Sequence, residues 1–290
     1  MRARLESFAR QVLGPCTVEA DCGWDHGGAL VLRLRDREGT AWYAKQNPHH
    51  EVHAREVSAY RRWVPHLGDR APRLRAATDD LPALVISAVP GAAFTGEDVE
   101  VHHQAGRLLR RFHEIETFPP WTDLVAHKLA ELDAWVARAD GLFDRPELDF
   151  VRSTLRSLEG IPAPPRVSCH FDYSPRNWLV DVGRVHLIDF EWAQPEVWVN
   201  DLGRLFFGLW RTRPDLREAF LDGYGRQPDE ADLALLLGSY ALTTVWHLVW
   251  TYEHDNPEFG SAVREILHGL MRGEFDKHAQ QVGRHAKLLR

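Results

Sequence analysis

The hydrophobic period of this chain changes near residue 94, and that change limits what it can fold into. After an amphipathic first segment, MRARLESFARQVLG, the stretches CTVEADCG, ALVLRLRD and AWYAKQN alternate as strands do. GWDHGG and REG separate them as turns. EVHAREVSAYRRWV has helical spacing, with Val52, Val57, Tyr60 and Val64 on one side. RLRAATDD and ALVISAVPG then read as two more strands, the second ended by Pro90-Gly91. Beyond Phe94 the period is helical in VHHQAGRLLRRFHEI, DLVAHKLAELDAWVARA and LDFVRSTLRSL. A short β segment (RVSC, NWLVDV, VHLIDF) interrupts the helices, which resume from about residue 200. The pattern predicts an α+β chain: a five-stranded sheet with one helix over residues 1–90, a connector at 85–91, and a larger, mainly helical lobe over 91–290. A cleft between two lobes is a favoured place for a small ligand.

Three groups of polar residues stand out against this frame. In His170-Phe-Asp172-Tyr-Ser-Pro-Arg-Asn177, Pro175 disfavours helix, so Asp172 and Asn177 are expected on one irregular loop. In VHLIDFE, Asp189 follows an apolar strand and precedes Phe190 and Glu191. In Tyr43-Ala-Lys45, a lysine sits on the third strand, with Glu56 eleven residues later on the helix. Two carboxylates and an amide make an all-oxygen donor set suited to Mg²⁺, which completes its shell with phosphate and water. A lysine pinned by a glutamate suits a fixed cation against phosphate oxygens. These are the parts of phosphoryl transfer, in which positioning and charge stabilisation do most of the work.

The joint order of these residues resembles the aminoglycoside phosphotransferase family, relatives of choline and other small-molecule kinases, over residues of about 20 to 255. The family pattern is H-G-D-x-x-x-x-N followed by an apolar strand ending I-D-[FW]-[ED], and this chain has HFDYSPRN and IDFE. The resemblance implies a bilobal protein-kinase-like fold and transfer of the γ-phosphoryl group of ATP, or GTP, to a hydroxyl of a small molecule. It implies Asp172 as the catalytic acid that accepts or orients the hydroxyl proton. Asn177 and Asp189 would be the Mg²⁺ ligands. Lys45 would clamp the phosphates and Glu56 would be its partner. The connector backbone from Ser87 to Val89 would meet adenine. Asp201 would brace the catalytic loop, and His113 would be structural. The chain departs from the pattern twice. Phe171 takes the place of the small residue between His and Asp, and the phosphate loop has Gly23, Gly27 and Gly28 but no G-x-G-x-x-G. Gly27 and Gly28 are the phosphate-loop candidates.

Trp192, Trp246 and Trp250, with Glu191 and Glu253, are acceptor-site candidates. A cationic, amine-bearing acceptor fits rings and carboxylates together, whereas a nucleoside or other natural product fits the rings alone. The antibiotic, choline and amino-sugar classes all remain open. A protein kinase is disfavoured: eleven residues lie between Asp189 and Asp201, no A-P-E follows, and HFD lacks the arginine of H-R-D. A catalytically dead binding module would not need every acid that this chain retains. His49 and His53 have zinc-pair spacing but no Glu-x-x-His frame. The net charge of −7 disfavours a nucleic-acid partner. Three cysteines give no disulfide framework and fit a reducing cytoplasm. The apolar run LALLLGSYALTTVWHLVW is interrupted by Gly238, Ser239, Thr243, Thr244 and His247, as in a buried helix rather than a membrane span. Either a monomer or a homodimer is compatible with the sequence.

Overall fold

The structure is a computed structural model that describes residues 1–23, 28–94 and 96–274. Contacts group the chain into two units. The first comprises Met1–Glu116, Ser168–Pro195 and Glu218–Gly225; the second comprises Thr117–Val167, Glu196–Arg217 and the chain from Arg226.

The first unit begins with helix α1 (Arg2–Leu13), which is followed by β1 (Cys16–Asp21), β2 (Leu30–Asp36) and β3 (Ala41–Gln46). Helix α2 (His50–Arg62) leads to β4 (Leu74–Thr78) and β5 (Ala83–Ser87). The five strands form one antiparallel sheet in the order β1-β2-β3-β5-β4. Leu5 and Ala9, one turn apart on α1, pack on Leu32, Leu34, Ala44, Ala83 and Val85. Because strand side chains alternate, Lys45 points away from that core when Ala44 points into it. The sheet thus has a greasy face under α1 and carries Lys45 on its other face, where α2 supplies Glu56.

Past β5 the chain turns at Gly91 (φ 107) into the short strand β6 (Ala92–Ala93). A Cβ at Gly91 would lie 2.7 Å from the Val180 carbonyl carbon and oxygen, so only glycine lets the backbones approach this closely. Helix α3 (Val99–His113) follows, N-capped by Asp98. The strands β7 (Thr117–Phe118) and β8 (Arg166–Cys169) pair antiparallel, and helices α4 (Leu124–Val136) and α5 (Arg145–Arg156) lie between them in sequence. β9 (Trp178–Asp181) and β10 (Arg184–Leu187) form a hairpin through Val182 and Gly183, both at positive φ, and β6 adds to the free side of β9.

Two glycines bring the backbone of α3 against residues 218–225. A Cβ at Gly106 would lie 2.0 Å from the Phe220 carbonyl oxygen, and one at Gly223 would lie 2.0 Å from that of His103. The Tyr173 hydroxyl donates to the Ala105 carbonyl (2.7 Å), which anchors the loop after β8 on the same helix.

The second unit is mainly helical. It holds α4, α5, α6 (Gly203–Phe206), the start of α7 (Pro214–Tyr224), α8 (Glu230–Glu253) and α9 (Pro257–Met271), with α8 packed against α4, α5 and α9. A capping box between Asp229 and Asp232 starts α8. By length and composition α8 is apolar enough to cross a membrane, but 61% of its apolar window is buried within the protein. Buried Lys128 of α4 meets Glu196 at 2.6 Å, and that carboxylate also accepts from the Trp121 indole and the Val197 amide.

Candidate active site

The described residues of the first unit bring together the lysine, its glutamate and both polar loops. Lys45 Nζ lies 3.1 Å from Glu56, 2.9 Å from Asp189 and 2.8 Å from Glu191. Burial opposes the ammonium charge, but the three carboxylates outweigh it and hold the Lys45 pKa well above its ordinary value. Glu56 is the most deeply buried of the three acids, and its side chain is only 2% exposed. Burial therefore dominates and pushes its carboxyl up to about 7, against the pull of Lys45. Asp189 is 38% exposed at its side chain. Lys45 overcomes the desolvation of Asp189 and keeps its carboxyl below the usual range.

The loop after β8 is fixed by local chemistry. His170 donates through Nε2 to the Ile188 carbonyl (3.0 Å) and accepts the Asp172 amide at Nδ1 (3.3 Å), which sets its tautomer. The Ile188 amide in turn donates to the Asn177 carbonyl (3.1 Å). These bonds hold the HFDYSPRN and IDFE segments side by side. Residues 175–177 form a single 3₁₀ turn led by Pro175, which directs Asn177 back to the aspartate. Asn177 Nδ2 donates both to the Asp172 carbonyl and to Asp172 Oδ2, each at 2.8 Å. Both amide protons of Asn177 are thereby used, and its Oδ1 has no protein partner among the described residues. Phe190, fully buried, packs on Tyr60, Phe112 and His170 and anchors the segment that carries Asp189.

Two of these residues hold left-handed backbone: Phe171 at φ 67 and Asp189 at φ 66. Aspartate tolerates that region, whereas a bulky side chain there costs about 1–2 kcal/mol. The sequence pattern favours a small residue at the position of Phe171, and the backbone supplies the reason. What departs from the pattern is the side chain, while the loop conformation is the one a glycine would adopt.

Other candidates fall as follows. Gly28 is left-handed (φ 68) and precedes β2; Gly27 lies outside the described residues. At the end of β5 the Ser87 amide donates to the Arg73 carbonyl and the Ala88 amide to that of Ala41, and Ser87 Oγ accepts from the Arg73 amide. Val89, half-buried, makes no backbone hydrogen bond among the described residues. Glu191 and Trp192 belong to the first unit; Trp246, Trp250 and Glu253 lie on α8 in the second. Glu253 is paired with Arg138 through two hydrogen bonds of 2.9 and 2.6 Å, and Trp250 stacks on His254. His113 is buried and bonded to the Tyr224 hydroxyl (2.9 Å). Asp201 is buried in the second unit.

Sequence reasoning missed two contacts. Arg55, adjacent to Glu56, donates through Nε to the Glu191 carbonyl (2.9 Å), and its guanidinium lies over the Trp192 ring at 4.7 Å. The Glu191 carboxylate, read from sequence only as an acceptor-site candidate, reaches Lys45. The adjacency of Arg55 and Glu56 on α2 was the available signal: Glu56 holds Lys45, and Arg55 holds the segment after β10.

Comparison with known proteins gives the family and the fold. The profile of the Phosphotransferase enzyme family (APH) matches residues 22–236, and the chain belongs to that family. No curated protein sequence matches it significantly. Among solved structures, it is similar to a choline/ethanolamine kinase family protein from Mesorhizobium loti (20% identity, TM-score 0.69, covering 96% of this chain and 99% of that one). It is also similar to a thermostable mutant of the aminoglycoside phosphotransferase APH(4)-Ia in ternary complex with ADP and hygromycin B (14% identity, TM-score 0.73, covering 92% and 97%). A third is the macrolide 2'-phosphotransferase MphH of Brachybacterium faecium (17% identity, TM-score 0.62, covering 90% and 96%). The α+β, bilobal protein-kinase-like fold expected from the sequence is the fold of this chain.

Proposed function

We propose that this protein is an ATP-dependent small-molecule phosphotransferase (GTP being the alternative donor) that moves the γ-phosphoryl group to a hydroxyl of an aminoglycoside-like or other natural-product acceptor. The observation that carries this reading is the joint constellation: a buried lysine held by Glu56, Asp189 and Glu191, beside a loop that locks Asp172 to Asn177. The roles of Asp172, Asn177, Asp189, Lys45 and Glu56 implied by the sequence stand as part of the proposal, as does a nucleotide lobe over residues 1–90 and a helical acceptor lobe beyond.

The donor set suits a hard divalent cation. Asn177 Oδ1 and the partly exposed Asp189 carboxylate are oxygen ligands, and Asp189 is held ionised by Lys45. A Mg²⁺ ion held there would supply charge neutralisation for the β- and γ-phosphates. In this reading Lys45 binds phosphate oxygens and is kept charged and oriented by Glu56. Asp172 accepts the proton of the acceptor hydroxyl, in an orientation fixed by Asn177. Val89, whose N–H and C=O make no protein hydrogen bond among the described residues, meets the adenine edge, with Ser87 closing the sheet beside it. Gly28, and Gly27 with it, lets the backbone approach the phosphates. Glu191, Trp192, Trp246, Trp250 and Glu253 are kept as acceptor-site residues. A role in antibiotic resistance and a cytoplasmic location follow from this reading.

A second reading, a metabolic kinase of choline or an amino sugar, draws on the aromatic residues and on the likeness to a choline/ethanolamine kinase family protein. An ATP-consumption screen across aminoglycosides, nucleoside antibiotics, amino sugars and choline separates the two. Asp189→Ala is expected to abolish transfer; full activity in that purified variant would refute the assignment.

A further inference from the structure

Arg176 is the cation of this cluster that the proposed mechanism leaves without a task. Its Nη2 lies 2.5 Å from Asp172 Oδ2, yet the two side chains differ sharply in exposure: 60% for Arg176 and 6% for Asp172. The guanidinium therefore covers the mouth of the buried carboxylate. Among the described residues only this one N–H group of Arg176 is in a hydrogen bond, and a guanidinium presents five N–H donors in a rigid fork. Burial opposes its charge, but Asp172, with Asp189 and Glu191 adding to the field, raises its pKa.

The other two cations are committed. Lys45 is balanced by three carboxylates within 3.1 Å. Arg55 is bonded to the Glu191 carbonyl and stacked on Trp192. A phosphoryl group moving toward Asp172 would approach a carboxylate whose nearest positive charge is Arg176. Resting on the phosphotransferase reading above, we infer that Arg176 is a catalytic residue that turns from Asp172 to the transferring phosphoryl group and stabilises the charge spread over its equatorial oxygens. In the step, the acceptor oxygen–Pγ bond forms and the bond from Pγ to the β,γ-bridging oxygen breaks. ADP leaves, and the acceptor proton passes to the Asp172 carboxylate and then to water. Arg176 gives up no proton; it exchanges one anionic partner, Asp172 Oδ2, for another, the equatorial oxygens of the phosphoryl group.

The test compares wild type with Arg176→Gln and Arg176→Lys in Mg-ADP binding, in binding of ADP with aluminium fluoride (a mimic of the planar phosphoryl group), and in the pH profile of nucleotide turnover. The expected result for Arg176→Gln is unchanged ADP affinity, at least a tenfold weaker hold on ADP–aluminium fluoride, and turnover reduced about a hundredfold. Arg176→Lys should recover part of both losses. Equal ADP–aluminium fluoride affinity in wild type and Arg176→Gln, with only the acidic limb of the pH profile displaced upward, would make Arg176 a brace for Asp172 and overturn the inference alone. A wild-type protein that binds no Mg-ADP would overturn the phosphotransferase reading and this inference together. Wild-type circular dichroism and ADP binding in both variants distinguish a lost role from a lost fold.

Discussion

Glu56 should contribute a stability that falls as the solution approaches neutrality, and Glu56→Gln should remove that contribution. The carboxyl is buried on the inner face of α2, and burial pushes its pKa from 4.5 to about 7. At about 1.4 kcal/mol for each pH unit, that displacement corresponds to about 3 kcal/mol. Folded Glu56 holds its proton more tightly than unfolded Glu56. Its contribution is therefore fully present below pH 4.5 and is lost as the pH rises through about 7. Glutamine keeps the shape and a hydrogen-bonding group but cannot ionise. Urea unfolding of both proteins at intervals from about pH 4.5 to 8 measures the effect as a difference, so groups shared by the two cancel. The wild-type stability relative to Glu56→Gln should decline by about 3 kcal/mol across that window, most steeply between about pH 5 and 7. Parallel stability curves across the window would refute the reasoning, because they would mean that the carboxyl is not strained by burial or that the variant relieves nothing.

Other outcomes follow from local geometry. Val182, 94% exposed at φ 45 in the β9–β10 turn, is a β-branched residue in a left-handed position, so Val182→Asn should raise stability by about 1 kcal/mol in thermal unfolding. Gly106→Ala would press a methyl to 2.0 Å from a backbone carbonyl that cannot rotate away; a loss of about 1–3 kcal/mol or more is expected in denaturant titration. Lys128→Met leaves the buried Glu196 carboxylate without its 2.6 Å counter-ion and should cost about 3–5 kcal/mol in the same titration.

Much of the fold was legible because it is written in local periodicity. The alternation of Leu30, Leu32 and Leu34 with Arg33 and Arg35 appears as strand β2, and the helical spacing of α2 and α3 appears as helices. The side chains of the candidate site were legible through their order along the chain. What was not legible depends on contacts between distant segments. The order β1-β2-β3-β5-β4 reflects which edges meet in space, and no local pattern records that. In sequence Phe171 stands only as a departure from a small residue; its φ of 67 explains why a small residue belongs there. The pairing of a 60% exposed Arg176 with a 6% exposed Asp172 is likewise visible only once the loop is folded.

The meeting of α3 with residues 218–225 has a consequence for how the protein is made. Gly106 and Gly223 lie in one backbone contact although more than a hundred residues of sequence separate them, and the first unit is threaded from three separate stretches. During synthesis, the sheet and α3 emerge early, but the backbone that covers α3 at Gly106 leaves the ribosome only near residue 225. Until then α3 must wait with an open groove, exposed to chaperones or to a neighbouring nascent chain. An expression fragment cut between the expected lobes, near residue 90, would separate the sheet from α3, and one cut near residue 116 would keep α3 but never receive its cover. Codon choices that slow translation before residue 218 would lengthen the wait, and faster translation there should improve the soluble yield.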